Sequence, residues 1–250
     1  MRERLARIAG LGLCASALVL ILALGWADGR SRASSVSLDR LAAGEELYLE
    51  SCSSCHGDNL EGVPNRGPKL EGVGEQAADF YLSTGRMPLK APGLEPVRSD
   101  PVFTTSQIDD LVAYIGSFGG PGIPQVDTSG ASLTEGLRLY ADRCAGCHQI
   151  TGSGGVVPGA VAPLLDDATP TQIAEAIRIG PYVMPEWGES QLSDAEVASI
   201  VRYVESAKSP EDPGGWAIGH LGPIPEGMVA WFIGLGALLL VARVIGERSE

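Results

Sequence analysis

A chain of 250 residues with a formal charge of −13 has room for one or two domains and is too acidic to bind phosphate backbones. Between Ala33 and Gly219 there are 26 acidic against 11 basic side chains, which excludes nucleic acid as a partner and permits docking to a basic protein face. Four of the five cysteines sit in two tight clusters and the fifth, Cys14, lies in an apolar run, so no disulfide framework remains to be built.

Arg2, Arg4 and Arg7 precede Ile8 to Trp26, nineteen residues without a charge. That run exceeds the roughly 7–15 residues of a signal-peptide core, and Trp26 stands where a small cleavage residue belongs. Residues 1–27 therefore read as an N-terminal membrane anchor, with a cleaved signal as the alternative. In either case the basic flank stays in the cytoplasm and the following chain is exported. Cys14 reads as an inert buried cysteine rather than a lipid attachment point, because the apolar run continues well past it. After a Gly/Ser/Arg linker, Asp28 to Ser37, residues Leu38 to Glu50 have helical period. Leu41, Leu47 and Tyr48 share one face, with Glu45, Glu46 and Glu50 elsewhere.

This helix runs into Cys52-Ser-Ser-Cys55-His56, the C-x-x-C-H signature of c-type haem attachment. Two thiols three positions apart lie on one helical turn, where they can form thioethers to the two vinyl groups of one porphyrin. The adjacent histidine then offers its imidazole to the iron. A zinc site built from both cysteine pairs would need a spacer of about 15–20 residues, far shorter than the one present. A thioredoxin-like pair has no use for the histidine. Residues 57–80, rich in Gly and Pro, read as loop, followed by Ser83-Thr-Gly-Arg-Met87-Pro88 and a Pro-rich stretch. A helix from Gln107 to Phe118, capped at Thr105 or Ser106, turns Ile108, Leu111, Val112 and Ile115 inward.

The same order then repeats. Gly44, Leu47, Tyr48 and Cys52 match Gly136, Leu139, Tyr140 and Cys144, each displaced by 92 positions. Cys144-Ala-Gly-Cys147-His148 is the second attachment signature. A Gly/Pro loop over 151–164, a short helix over 171–179, and Met184-Pro185 follow. Ser193 then caps Asp194 to Ala207, with Val197, Ile200, Val201 and Val204 inward. The duplication predicts two like domains, 38–120 and 131–208, joined by Gly119 to Ser132. Gly152, Gly154 and Gly155 read as turn chemistry, since no strand precedes them and no Lys-Ser/Thr follows. Residues 227–246 are apolar except for Arg243 and predict a C-terminal transmembrane helix, with Trp231 at the outer interface and Arg243 and Arg248 toward the cytoplasm.

Met1 is the initiator and Met228 opens the membrane helix, so Met87 and Met184 remain as sixth ligands, one per domain and each followed by proline. The alternative is a gap-filling core methionine in each domain. The axial pairs expected are His56 with Met87 and His148 with Met184, each holding one of two covalently bound haem c groups. His/Met ligation raises the reduction potential and leaves no open position for a substrate, so the expected work is one-electron transfer. Arg86 and Trp187 flank the two methionines and are candidates for contact with haem propionates or rings. Tyr48, Tyr114, Tyr140 and Tyr203 are expected to pack the first and last helices of each domain together. His220, just outside the second membrane helix, has no assigned role.

Residues 55–64 (Cys-His-Gly-Asp-Asn-Leu-Glu-Gly-Val-Pro), 67–74, 83–88, 107–115 and above all 213–228 (Pro-Gly-Gly-Trp-Ala-Ile-Gly-His-Leu-Gly-Pro-Ile-Pro-Glu-Gly-Met) resemble the dihaem cytochrome cc subunit of the actinobacterial cytochrome bcc complex. The likeness covers Ala43 to Gly246. It implies a mainly α protein: two tandem class I cytochrome c-like haem domains flanked by N-terminal and C-terminal transmembrane helices. It also implies a membrane-bound quinol–cytochrome c reductase with a menaquinol-oxidising cytochrome b subunit. The first haem would take an electron from a Rieske iron–sulfur subunit, and the second would pass it to an aa3-type cytochrome c oxidase. A stand-alone anchored dihaem carrier and a dihaem peroxidase or thiosulfate-oxidising enzyme are the rival readings. Two Met-Pro motifs speak against the enzymes, which keep an open or unusual axial position.

Overall fold

The computed structural model describes residues 38–210 and 223–247. The expected N-terminal anchor, Cys14 and His220 lie outside the described residues. The chain is mainly helical, in two units of like design. In the first, helix α1 (residues 38–51) leads into the short α2 (Ser53–His56), then α3 (Gly74–Ser83) and α4 (Thr105–Gly116). In the second, α5 (Leu133–Arg143) leads into α6 (Ala145–His148), a two-stranded hairpin of β1 (Gly155–Val157) and β2 (Ala160–Ala162), α7 (Pro170–Ile179) and α8 (Asp194–Lys208). Helix α9 (Pro223–Glu247) closes the described chain.

Helices α4, α7 and α8 start where side chains can satisfy their first N–H groups. Thr104, Thr169 and Ser193 each form a capping box, with Gln107, Gln172 and Glu196 respectively. The cap of α4 is thus Thr104, one residue ahead of the expected Thr105 or Ser106, because only Thr104 has a Gln three positions on. The inward faces agree with the periodicity: Ile108, Leu111, Val112 and Ile115 are buried in α4, and Val197, Ile200, Val201 and Val204 in α8.

In each unit the first and last helices cross at a glycine. A Cβ on Gly44 would strike the Asp110 carbonyl oxygen, and one on Gly136 would strike that of Ser199. The absent side chain lets the backbones meet, and the tyrosines beside the crossing pair up as expected. The Tyr48 and Tyr114 rings are 5.5 Å apart and the Tyr140 and Tyr203 rings 5.0 Å. Two further elements depart from the loop reading. Helix α3 occupies part of the stretch 57–80, and the 151–164 loop folds into the antiparallel hairpin, Val156 opposite Val161.

The units pack together through α3 and α7. Gln172 of α7 donates to the Ser83 hydroxyl (3.1 Å) and accepts from Arg98 (3.3 Å), whose other amino group donates to the Asp167 carbonyl (2.8 Å). Fully buried Glu175 faces Asp79 in the same join. Helix α9 reaches a mean hydropathy of 2.3 in its most apolar stretch within Gly227–Glu247, with Trp231, Phe232 and Leu238 to Leu240 exposed, as suits a lipid-facing helix. Arg243 pairs with Glu247 at 2.9 Å near its end.

Candidate haem centres

Both C-x-x-C-H segments are built alike from the backbone up. Cys52 N–H donates to the Tyr48 carbonyl at 2.8 Å, and Cys144 N–H to that of Tyr140 at 2.8 Å. His56 N–H then returns to the Cys52 carbonyl (3.0 Å) and His148 N–H to that of Cys144 (2.9 Å). One tight turn thus carries both thiols and the imidazole. The next residues, Gly57 and Gln149, turn the chain away with φ of +80° and +58°.

Each imidazole is aimed from behind. Nδ1 of His56 lies 2.7 Å from the Pro68 carbonyl, and Nδ1 of His148 3.3 Å from the Pro163 carbonyl. A carbonyl can only accept, so Nδ1 carries the proton and Nε2 keeps its lone pair for a metal. Burial depresses the His148 pKa, only partly opposed by the Pro163 bond, and favours that neutral ring. Neither Cys52 nor Cys144 is an activated nucleophile. Burial, then Cys55, pushes Cys52 up to about 11, and burial chiefly pushes Cys144 up to about 11. A dithiol redox pair needs the opposite shift. Among the described residues no three His, Cys, Asp or Glu side chains converge as a metal cluster, so the two cysteine pairs do not form a shared zinc site.

In the second unit Cys144, Cys147, His148 and Met184 line one cavity of about 380 Å³. Its other walls are largely apolar and include Leu165, Ile173, Ile177, Ile200 and Val204. The Met184 loop is held by α7 and the start of α8. Trp187 N–H donates to the Ile177 carbonyl (2.9 Å), while Arg178 donates to the Trp187 and Leu192 carbonyls (2.9 and 2.6 Å) and to Asp194 (2.6 Å). Arg143 stacks over the Trp187 ring at 4.9 Å. Two thiols, an imidazole and a thioether around an apolar cavity, with unpaired polar atoms of Tyr140 and Arg143 on residues of its wall, fit a flat apolar macrocycle bearing anionic groups.

In the first unit Cys52 and Met87 both pack against the core around Tyr48, Leu60 and Leu111. The Met87 loop hangs from one acceptor: the N–H groups of Arg86 and Met87 both donate to the Tyr81 carbonyl (2.9 and 3.0 Å). An open groove of about 630 Å³ runs along Glu61 to Lys69 and Gly93, in the loop after His56. None of the four candidate ligands of that unit lines it.

Sequence reasoning missed two features of the site. Arg143 was legible as the residue directly before Cys144. The other left no local signal: Phe80, Arg86 and Glu95 to Arg98 of the first unit are part of the second unit's cavity wall.

Residues 41–118 match the family "Cytochrome c", and residues 131–204 match "Cytochrome C oxidase, cbb3-type, subunit III". The chain is 42% identical over 219 residues to the "Cytochrome bc1 complex cytochrome c subunit" of Mycobacterium tuberculosis, covering 84% of this chain and 78% of that one. It is 37% identical over 228 residues to the same-named subunit of Corynebacterium efficiens, covering 84% and 77%. A more distant relative, at 27% identity over 192 residues with 66% and 62% covered, is the "Cbb3-type cytochrome c oxidase subunit CcoP" of an Azospirillum strain. With its duplicated cytochrome c-type fold and this identity over most of both chains, the protein belongs to the family of cytochrome c subunits of the cytochrome bc1 complex.

Proposed function

We propose that the chain carries two covalently bound haem c groups, in domains 38–120 and 131–208, and relays single electrons within a quinol–cytochrome c reductase of the bcc type. Cys52 and Cys55 hold the first haem, with His56 and Met87 as its axial ligands. Cys144 and Cys147 hold the second, with His148 and Met184. The observation that carries this reading is the single cavity on which Cys144, Cys147, His148 and Met184 meet.

When bound, haem iron supplies a one-electron couple whose potential a thioether ligand raises. The protein's part is positioning and exclusion. The Pro68 and Pro163 carbonyls fix the histidine rings, the Arg178 bonds and the Tyr81 carbonyl fix the methionine loops, and the two cores keep water from the irons. With both axial positions filled by side chains, no substrate binds at iron. Electrons enter the first domain from a Rieske iron–sulfur subunit and leave the second for an aa3-type oxidase, in a complex with a cytochrome b subunit. Helix α9 holds the haem domains on the extracytoplasmic side of the cell membrane, and where the N-terminal helix is retained as a second anchor both termini lie in the cytoplasm.

Purification of the tagged full-length protein from its own membranes in mild detergent tests this reading. Co-purification of cytochrome b, Rieske and oxidase subunits, with two covalent haems per chain, is the expected result. Recovery of the chain without them would favour a stand-alone anchored dihaem cytochrome serving another dehydrogenase or oxidase.

A further inference from the structure

Among the described residues, five buried side-chain atoms lack a hydrogen-bond partner. Three of them, Arg86 Nη1, Tyr140 Oη and Arg143 Nε, belong to residues that line the second cavity. The repeat shows that this is not simply the habit of the fold. Tyr48, the counterpart of Tyr140, donates its hydroxyl to the Gly57 carbonyl at 2.7 Å, whereas Tyr140 donates to nothing in the protein. A buried donor left without an acceptor is costly, and the economical explanation is an acceptor that the protein itself does not supply.

The charge of the wall says what kind of acceptor. On a chain of net charge −13, the cavity is lined by three arginines, Arg86, Arg98 and Arg143, and by one acid, Glu95. Arg98 is engaged with Gln172 and the Asp167 carbonyl, and Arg143 donates from one amino group to the Gln191 carbonyl while its Nε lies in a loose ion pair 3.8 Å from Asp142, which leaves Arg86 and Tyr140 with the wholly unpaired donors. Arg86 stands over the Phe80 ring, 4.8 Å from its centroid, with a buried amino group unpaired. An apolar cavity with orphaned cationic and hydroxyl donors suits a flat apolar ligand carrying carboxylates, and a guanidinium is the best-shaped partner for a carboxylate.

We propose that Arg86, a residue of the first domain, binds a propionate carboxylate of the haem held by the second domain, alongside Tyr140 and Arg143. The proposal rests on the haem reading above. It makes the second haem site a joint product of both repeats. Arg86 is also peptide-bonded to Met87, so the residue that grips the second haem adjoins the proposed distal ligand of the first iron. That adjacency offers a short route between the two centres, covalent from Arg86 to Met87 and hydrogen-bonded at the carboxylate, and it ties the charge state of one haem to the position of the other's ligand.

The test is a redox titration of the detergent-purified full-length protein, wild type against Arg86→Gln and Arg86→Lys. The wave of the second haem is assigned with Met184→His, which displaces that wave alone. A cation beside a haem carboxylate favours the reduced form, so Arg86→Gln should shift the oxidised-to-reduced equilibrium of the second haem three- to tenfold toward oxidised, about 28 to 59 mV lower for one electron. Arg86→Lys should stay close to wild type. Ser83→Ala, which removes the inter-domain bond to Gln172 without changing charge, controls for mere loosening of the domains and should leave the potential in place. An unchanged second wave in Arg86→Gln, or a shift confined to the first haem, overturns the proposal and leaves the haem reading intact. Fewer than two covalent haems per wild-type chain would instead overturn the reading on which it rests.

Discussion

Glu175 on α7 is completely buried, and the carboxyl facing it across the join of the two units is Asp79 on α3. Burial, then the neighbouring Asp79, pushes Glu175 up to about 9, and burial raises Asp79 as well. Neither Glu175 oxygen has a hydrogen bond of ordinary geometry, so a proton held between the two carboxyls is the state that suits the pair. The folded pKa lies above the unfolded value of 4.5, so the folded chain binds a proton that the unfolded chain releases. Stability from this site is therefore full below about 4.5, falls as the pH rises toward about 9, and stays lost above it. Thermal midpoints measured across that window should decline in the wild type. In Glu175→Gln they should decline less, and equal slopes in the two proteins would refute this account.

Met87→Leu and Met184→Leu keep the volume and apolar character of the side chain while removing the thioether. If these are axial ligands, each substitution should abolish about half of the red-end absorption band that marks Met–iron coordination in the ferric protein, and the double variant all of it. Each should also lower one reduction potential, since the thioether favours ferrous iron. A spectrum unchanged by either substitution would remove both residues from the axial positions.

Gly44 and Gly136 mark the helix crossings, where a methyl group would meet a backbone carbonyl rather than a side chain that could swing away. Gly44→Ala and Gly136→Ala should each destabilise by about 3 kcal/mol, the upper end of the usual cost of overpacking. Chemical denaturation of the haem-loaded protein reads this directly, and a cost below about 0.5 kcal/mol would show that the helices can separate freely.

Arg178 has a side chain only 10% exposed and holds the Met184 loop through two carbonyls and Asp194. Arg178→Ala should cost about 2 kcal/mol or more, because bonds to a charged donor are lost and two part-buried carbonyls lose a partner. Exogenous imidazole should then compete more readily for the second iron than for the first, which spectral titration measures.

Local chemistry made the duplicated cytochrome c-type design legible: two C-x-x-C-H turns and a glycine–tyrosine pattern displaced by 92 positions. Each of those signals is contained within a few consecutive residues and answers to covalent spacing. Helix α3 escaped because it starts at Gly74 after a glycine-rich stretch and has no side-chain cap at Val73, so nothing local announces it. The hairpin escaped because Gly155 and Gly159 read as turn residues, while only three residues on each side form the ladder. The shared cavity wall was out of reach for another reason. It joins a Pro-rich loop of the first unit to side chains about forty or more positions away, and no periodicity encodes a contact between separately patterned units.

That shared wall also sets an order of construction. Phe80, Arg86 and residues 95–98 are made before the segment whose cavity they help enclose. A chain folding as it emerges meets the lid first and the vessel second. Severed at residues 119–132, the later half would open an apolar hollow to water on the side its neighbour now covers. The repeats look interchangeable in sequence, yet one serves as part of the other's container, so the tandem can be neither reversed nor parted without rebuilding that side.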